Sequence, residues 1–111
     1  MSGYEINVVE VGASRGERVI ELYGEFDLHA LYELTETLRQ SAGPRQAASV
    51  DLSGVTFADL CTLRALSELV VSPGLSLRSP SWQVLHGARA CGLEERLGLE
   101  PEPAGLSRKA S

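Results

Sequence analysis

The chain has 111 residues and a formal net charge of −5, from ten Lys and Arg against fifteen Asp and Glu. That length accommodates one buried core and not two. With 43% hydrophobic and 23% charged residues, the composition is that of a folded domain and excludes wholesale disorder. The cations are scattered along the chain and form no stripe, which argues against nucleic acid as a partner. Charge interrupts every apolar run well short of the roughly 20 residues that a bilayer span needs, so no membrane insertion is expected. The opening Met1-Ser-Gly-Tyr-Glu-Ile6 carries an acid where a signal peptide carries a basic region and then an apolar one. Cys61 and Cys91 fit no metal-ligand spacing and are too few for a disulfide scaffold. A cytoplasmic protein with reduced thiols is expected.

The β-branched run Ile6 to Val11 predicts a strand, followed by a loop at Gly12-Ala-Ser-Arg-Gly16. Arg18 to Tyr23 alternates, with Ile20 and Leu22 on one face and Glu21 on the other, so the two strands form a hairpin that Gly24 ends. Asp27 is placed to cap a helix whose Leu31, Leu34 and Leu38 make one apolar stripe, stopped by Ala42-Gly43-Pro44. Ala48 to Leu52 predicts a short strand ending in a turn at Ser53-Gly54, with Val55 and Phe57 returning the chain to the core. A second helix starts at about Asp59 and carries Leu63, Leu66 and Val70 at helical spacing until Ser72-Pro73-Gly74 breaks it. Leu75 to Arg78 reads as a strand. Ser79-Pro80 reads as an N-cap and first helical position opening a third helix, with Gly92 at its C-terminus and Leu93 packing behind.

Helices alternating with strands after an initial hairpin predict an α/β sandwich, a mixed sheet of four or five strands with helices packed on it. The domain is expected over residues 1–99, with residues 100–111 as a flexible tail. Catalytic chemistry is hard to find. His29 and His86 lack a neighbouring acid or nucleophile at a meaningful spacing and read as surface or packing residues. The carboxylate pairs Glu25/Asp27, Asp51/Asp59 and Glu94/Glu95 read as caps and solvated ends, and no phosphate-binding loop or nucleophile elbow is written. No enzyme activity, cofactor or metal is expected.

The informative stretches are Leu22-Tyr-Gly-Glu-Phe-Asp27 and Ser49 to Leu69, which contains Asp51-Leu-Ser-Gly-Val55 followed by Thr56-Phe-Ala-Asp59. Together they resemble the STAS domain of bacterial anti-sigma factor antagonists over roughly residues 6–99. In that family the second strand ends in Gly-Glu-Leu-Asp and the third in Asp-Leu-Ser-Gly-Val, continuing Thr-Phe-x-Asp-Ser-Ser-Gly-Leu. Here Thr56, Phe57, Asp59 and Leu63 keep their places, and Leu60-Cys61-Thr62 stands where the family has Ser-Ser-Gly. The resemblance implies a protein-binding module that captures an anti-sigma factor of kinase-like fold through Asp27, Ser53, Gly54, Thr56, Asp59, Leu60, Cys61 and Thr62, freeing a sigma factor. It also implies that the serine switch is gone, because Leu60 has no oxygen to accept a phosphate. An accessory or scaffold STAS subunit of a transporter ATPase or signalling complex is the alternative.

Several of these residues carry a second reading. Asp59 serves equally as a helix N-cap, and both roles hold together. Leu60 either turns inward or joins an exposed contact patch. Thr62 stands two positions out of register with the family serine, about 200° around a helix. Cys61, at a helix start, and Cys91 are candidate redox residues.

Overall fold

The computed structural model describes residues 3–11, 17–43 and 46–99. Eight elements follow in order: β1 (Tyr4–Val11), β2 (Glu17–Phe26), α1 (Leu28–Ser41), β3 (Ala48–Ala58), α2 (Leu60–Leu69), β4 (Leu75–Arg78), α3 (Trp82–Cys91) and α4 (Glu94–Leu97). The strands form one mixed sheet in the order β1-β2-β3-β4, antiparallel between β1 and β2 and parallel thereafter. The expected α/β layering holds, with four strands. The hairpin loop at 12–16 and the tail at 100–111 lie outside the described residues.

Pairing register decides which side chains reach the core. Ile20 and Leu22 of β2 pair with Val8 and Ile6, and Ile20 also faces Val50 across the parallel seam. Side chains alternate along a strand, so this set lies on one face of the sheet. There Ile20, Leu22, Val50 and Leu52 pack with Leu34 and Leu38 of α1, Leu63 and Leu66 of α2, and Val84 of α3 in one buried cluster. Each such leucine, fully buried, contributes about 2 kcal/mol of transfer free energy. The opposite face, carrying Asn7, Val9, Glu21, Tyr23, Asp51 and Arg78 among others, receives none of the helices' buried side chains.

Helix ends follow the capping signals, with one correction. Asp27 and Asp59 cap α1 and α2 as expected, and Gly92 closes α3 in the left-handed conformation while Leu93 donates its N–H to the Ala88 carbonyl and buries its side chain. The cap of α3 is Ser81, not Ser79. Its hydroxyl accepts the Val84 N–H and donates to the Val55 carbonyl 2.7 Å away, a bond to β3 that Ser79 does not make. The buried stripe of α1 is Ala30, Leu34, Leu38 and Ser41, which leaves Leu31 half-buried at its margin. Glu94–Leu97 forms the single turn α4, and Leu97 and the following Leu99 are both buried.

Three strand expectations are also corrected. Gly24 does not end β2, which runs on to Phe26. At φ +96°, Gly24 adopts a conformation that L side chains rarely take, and a Cβ there would collide with the Gly3 carbonyl oxygen. That oxygen accepts the Glu25 N–H at 2.8 Å, so the glycine lets the start of the chain cross close over β2. Nor is Ser53-Gly54 a turn, because β3 continues to Ala58 with register shifts against β2. Asp51 accepts the Ser53 N–H at 2.9 Å across the irregularity, and the Tyr23 ring occupies the space that a Cβ on Gly54 would need. A second shift, after Val55, turns Phe57 out of the core: it pairs with Glu25 and is 49% exposed, while Val55 is buried and Ala58 packs against the core.

Replacing Gly24 by Ala is expected to cost about 2 kcal/mol or more, from the positive φ and the displaced Gly3 carbonyl. A lowered urea midpoint with an unchanged slope would show it.

Candidate functional site

The starts of α1 and α2 meet at the end of β2. The Phe26 carbonyl oxygen accepts the Asp59 N–H at 3.1 Å and the Thr62 hydroxyl at 3.2 Å, joining the last residue of β2 to the cap and first turn of α2. One residue further on, Asp27 accepts the His29 N–H at 2.9 Å and opens α1. Asp59 accepts the Thr62 N–H at 2.8 Å. Two carboxylate caps therefore lie at neighbouring helix N-termini, where the helix dipole favours negative charge.

Helix geometry sorts the Leu60-Cys61-Thr62 segment. Thr62 is 1% exposed, with its backbone and side chain both bonded, so it is a structural tie and not the partner contact that the resemblance implied. Leu60, the first residue of α2, is 43% exposed, and Cys61 beside it is exposed with a free thiol. The Leu60 side chain therefore points outward and does not turn in to fill the core. Cys91, at the end of α3, is also exposed and free.

Two further apolar side chains project at this end of the molecule. Leu28, the first residue of α1, is 65% exposed, and Tyr32 one turn later is 78% exposed. They lie at i and i+4, on the face turned away from Ala30, Leu34 and Leu38. Sequence reasoning missed both, although an apolar pair outside the stripe of an amphipathic helix was the available signal. Asp27, Asp59, Leu60 and Cys61 are thus brought together with Leu28 at the paired helix starts. Ser53 and Thr56 are exposed along β3, and Gly54 lies beneath the Tyr23 ring.

The arrangement offers contact surface more than reactive groups. His29 Nδ1 lies 3.5 Å from the Asp27 carboxylate that caps its own helix, and His86 is exposed on α3. Among the described residues, no group of three or more His, Cys, Asp or Glu side chains is disposed to hold a metal, and no helix is long and apolar enough to cross a membrane.

Burial pushes the Asp51 carboxyl upward, but the Ser53 N–H and hydroxyl and the nearby Arg78 outweigh it and hold the group below its ordinary value. A carboxyl depressed in the folded state adds stability above its unfolded value, and that stability is lost as pH falls through the folded one. Asp51→Asn is therefore expected to be less stable than the parent at neutral pH. The gap should close as unfolding curves are taken below about pH 4. Thr62→Val, which leaves Phe26 with one donor, is expected to cost about 1 kcal/mol. Leu60→Ser, at an exposed site, should change stability by less than about 0.5 kcal/mol. Thermal or urea unfolding separates the pair.

A family model described as Mlab, STAS domain, matches residues 9–101. An anti-sigma factor antagonist from Mycobacterium paratuberculosis has a similar structure, with a TM-score of 0.70 at 19% identity, covering 98% of this chain and 96% of that one. The anti-sigma factor antagonist SpoIIAA in its unphosphorylated form gives a TM-score of 0.60 at 22% identity over 96% of both chains. The STAS domain of an antisigma-factor antagonist from Rhodobacter sphaeroides gives 0.51 at 16% identity, over 68% of this chain and 83% of that one. No curated protein sequence matches. At these identities the structural likeness carries the fold, and the family match spans most of the residues. The chain belongs to the STAS domain family.

Proposed function

We propose that this STAS domain is a protein-binding module that acts as an anti-sigma factor antagonist in the cytoplasm, without the serine switch of its family. The observation that carries the reading is Leu60, an exposed apolar side chain at the first position of α2, directly after a working Asp59 cap. In the family pattern that position is the phosphorylated serine. A phosphate there would bring roughly −2 charge beside Asp59 and disrupt an apolar contact. Leucine cannot carry it, and an apolar side chain adds to the contact instead.

In this reading the partner is an anti-sigma factor of kinase-like fold, seated on Leu28, Leu60 and Cys61 with Asp27 and Asp59 alongside. Its capture frees the sigma factor by mass action, and nothing is turned over. With no phosphate to end the complex, the concentration of the antagonist sets the response. A second reading is an accessory STAS subunit held permanently on a transporter ATPase. The same leucine favours it, because a lasting contact gains from apolar area and has no use for a phosphorylatable hydroxyl.

Purification of the tagged protein from its native cells separates the two: an anti-sigma factor in the complex supports the first reading and an ATPase subunit the second. Leu60→Glu should reduce either complex at least about tenfold, since it puts a charge into the contact. Incubation with the captured partner and ATP should add no mass to the parent chain. One stoichiometric phosphate on residues 59–62 would refute the switchless mechanism. Leu60→Ser should gain a phosphate if the partner is a kinase of the family type.

A further inference from the structure

The negative charge of the molecule is distributed unevenly over its faces. Strand register places Glu5, Glu17, Glu21, Glu25 and Asp51 on the face of the sheet that the helices leave uncovered, with Arg78 as the cation paired into the same rows. Five carboxylates against one guanidinium leave four net negative charges there, out of seven for the described residues, which hold thirteen acids and six arginines. Arg18 of β2 bonds Glu10 and the Gln40 carbonyl of α1, and Arg39, Arg64, Arg89 and Arg96 are carried by helices. Among the described residues, the one ion pair on this face is Arg78 with Asp51 at 4.0 Å.

The same face is not simply polar. Val9, Val11, Tyr23 and Phe57 are exposed on it, interleaved with the acids. Small residues follow Val9 and Val19 across the sheet as Ser49 and Ser76, and they floor a cleft of about 430 Å³ that Val11, Glu17, Arg18 and Arg78 help to wall. The charge is felt at the centre of the face: the Tyr23 hydroxyl is held above its ordinary value, chiefly by the charge of Glu21, with Asp51 and Glu5 adding to it.

We propose that the helix-free face of the sheet is a second docking surface, for a basic amphipathic protein segment whose cations meet Glu5, Glu21 and Asp51 and whose apolar side chains lie on Val9, Tyr23 and Phe57. Charge complementarity selects this occupant. A second copy of the chain would set like charges face to face, and nucleic acid or an anionic lipid surface would be repelled. Alternating acids and apolar groups on a pleated surface suit a partner with the same alternation.

A fluorescein-labelled peptide of alternating Lys and Val, as long as β1, serves as the probe, with a Glu and Val peptide as its control. The Lys/Val peptide should bind at low salt and the control should not. The double variant Glu5→Lys/Glu21→Lys should weaken binding about tenfold or more. Glu68→Lys/Glu95→Lys, which changes the net charge equally away from the face, should weaken it by less than about twofold. In the parent protein, amide shifts on titration should gather at residues 5, 7, 9, 21, 23, 51 and 57. Equal weakening in both variants, no binding of the Lys/Val peptide, or shifts gathered at Leu28 and Leu60 would overturn the proposal. Thermal midpoints verify that both variants are folded, and the parent shift map decides the matter if the face variant is not.

Discussion

The Phe26 carbonyl is the joint on which the candidate site depends. It ends β2, and the two donors it accepts belong to the next crossover, the Asp59 backbone and the Thr62 side chain. A buried carbonyl left unpaired costs about 1–3 kcal/mol, so satisfying this one also fixes where α2 starts. Because Asp27 follows directly and opens α1, the same joint sets the two helix N-termini side by side. Leu28 and Leu60 each follow directly on one of those two caps, as the first residues of α1 and α2. The contact surface is therefore a by-product of how two parallel strands end.

The local chemistry that a sequence carries was legible where it acted alone. Asp27, Asp59 and Gly92 did what their residue types do at helix ends, and the period-two pattern of Ile20 and Leu22 gave the buried face of β2. What escaped was decided by residues distant in the chain. Ser53-Gly54 has the composition of a turn, yet the glycine is there because the Tyr23 ring from another strand lies against it. A second register shift, between the Gly24–Val55 and Glu25–Phe57 pairs, sends Phe57 outward, and no local pattern records a shift between two strands. Ser79-Pro80 reads as a cap only until Ser81 is seen to reach the Val55 carbonyl on β3.

The molecule is built on one side only. Helices cover one face of the sheet and supply the core, and the other face meets solvent with most of the net charge upon it. Acidity on that face keeps neighbouring molecules apart, which matters because β1 is an edge strand eight residues long with exposed valines. Glu5 and Glu10 within β1 act in the same direction. Charge thus protects the uncovered sheet from its own copies while leaving it open to a cationic partner.

The first turn of α2 also shows how position 60 can change without loss of the fold. On a helix, positions 59, 62 and 63 turn inward or cap, and positions 60 and 61 turn out. Asp59 holds the Thr62 N–H, Thr62 holds the Phe26 carbonyl, and Leu63 is buried in the core; each is bound to the architecture. Leu60 and Cys61 have no such tie. Substitution at 60 therefore changes what a partner meets and leaves the helix start as it was. The Thr62 hydroxyl is committed to a buried carbonyl, and its side chain is closed to solvent. The residues tied to the architecture and those turned to solvent occupy different sides of one helical turn, so the second set can change without disturbing the first.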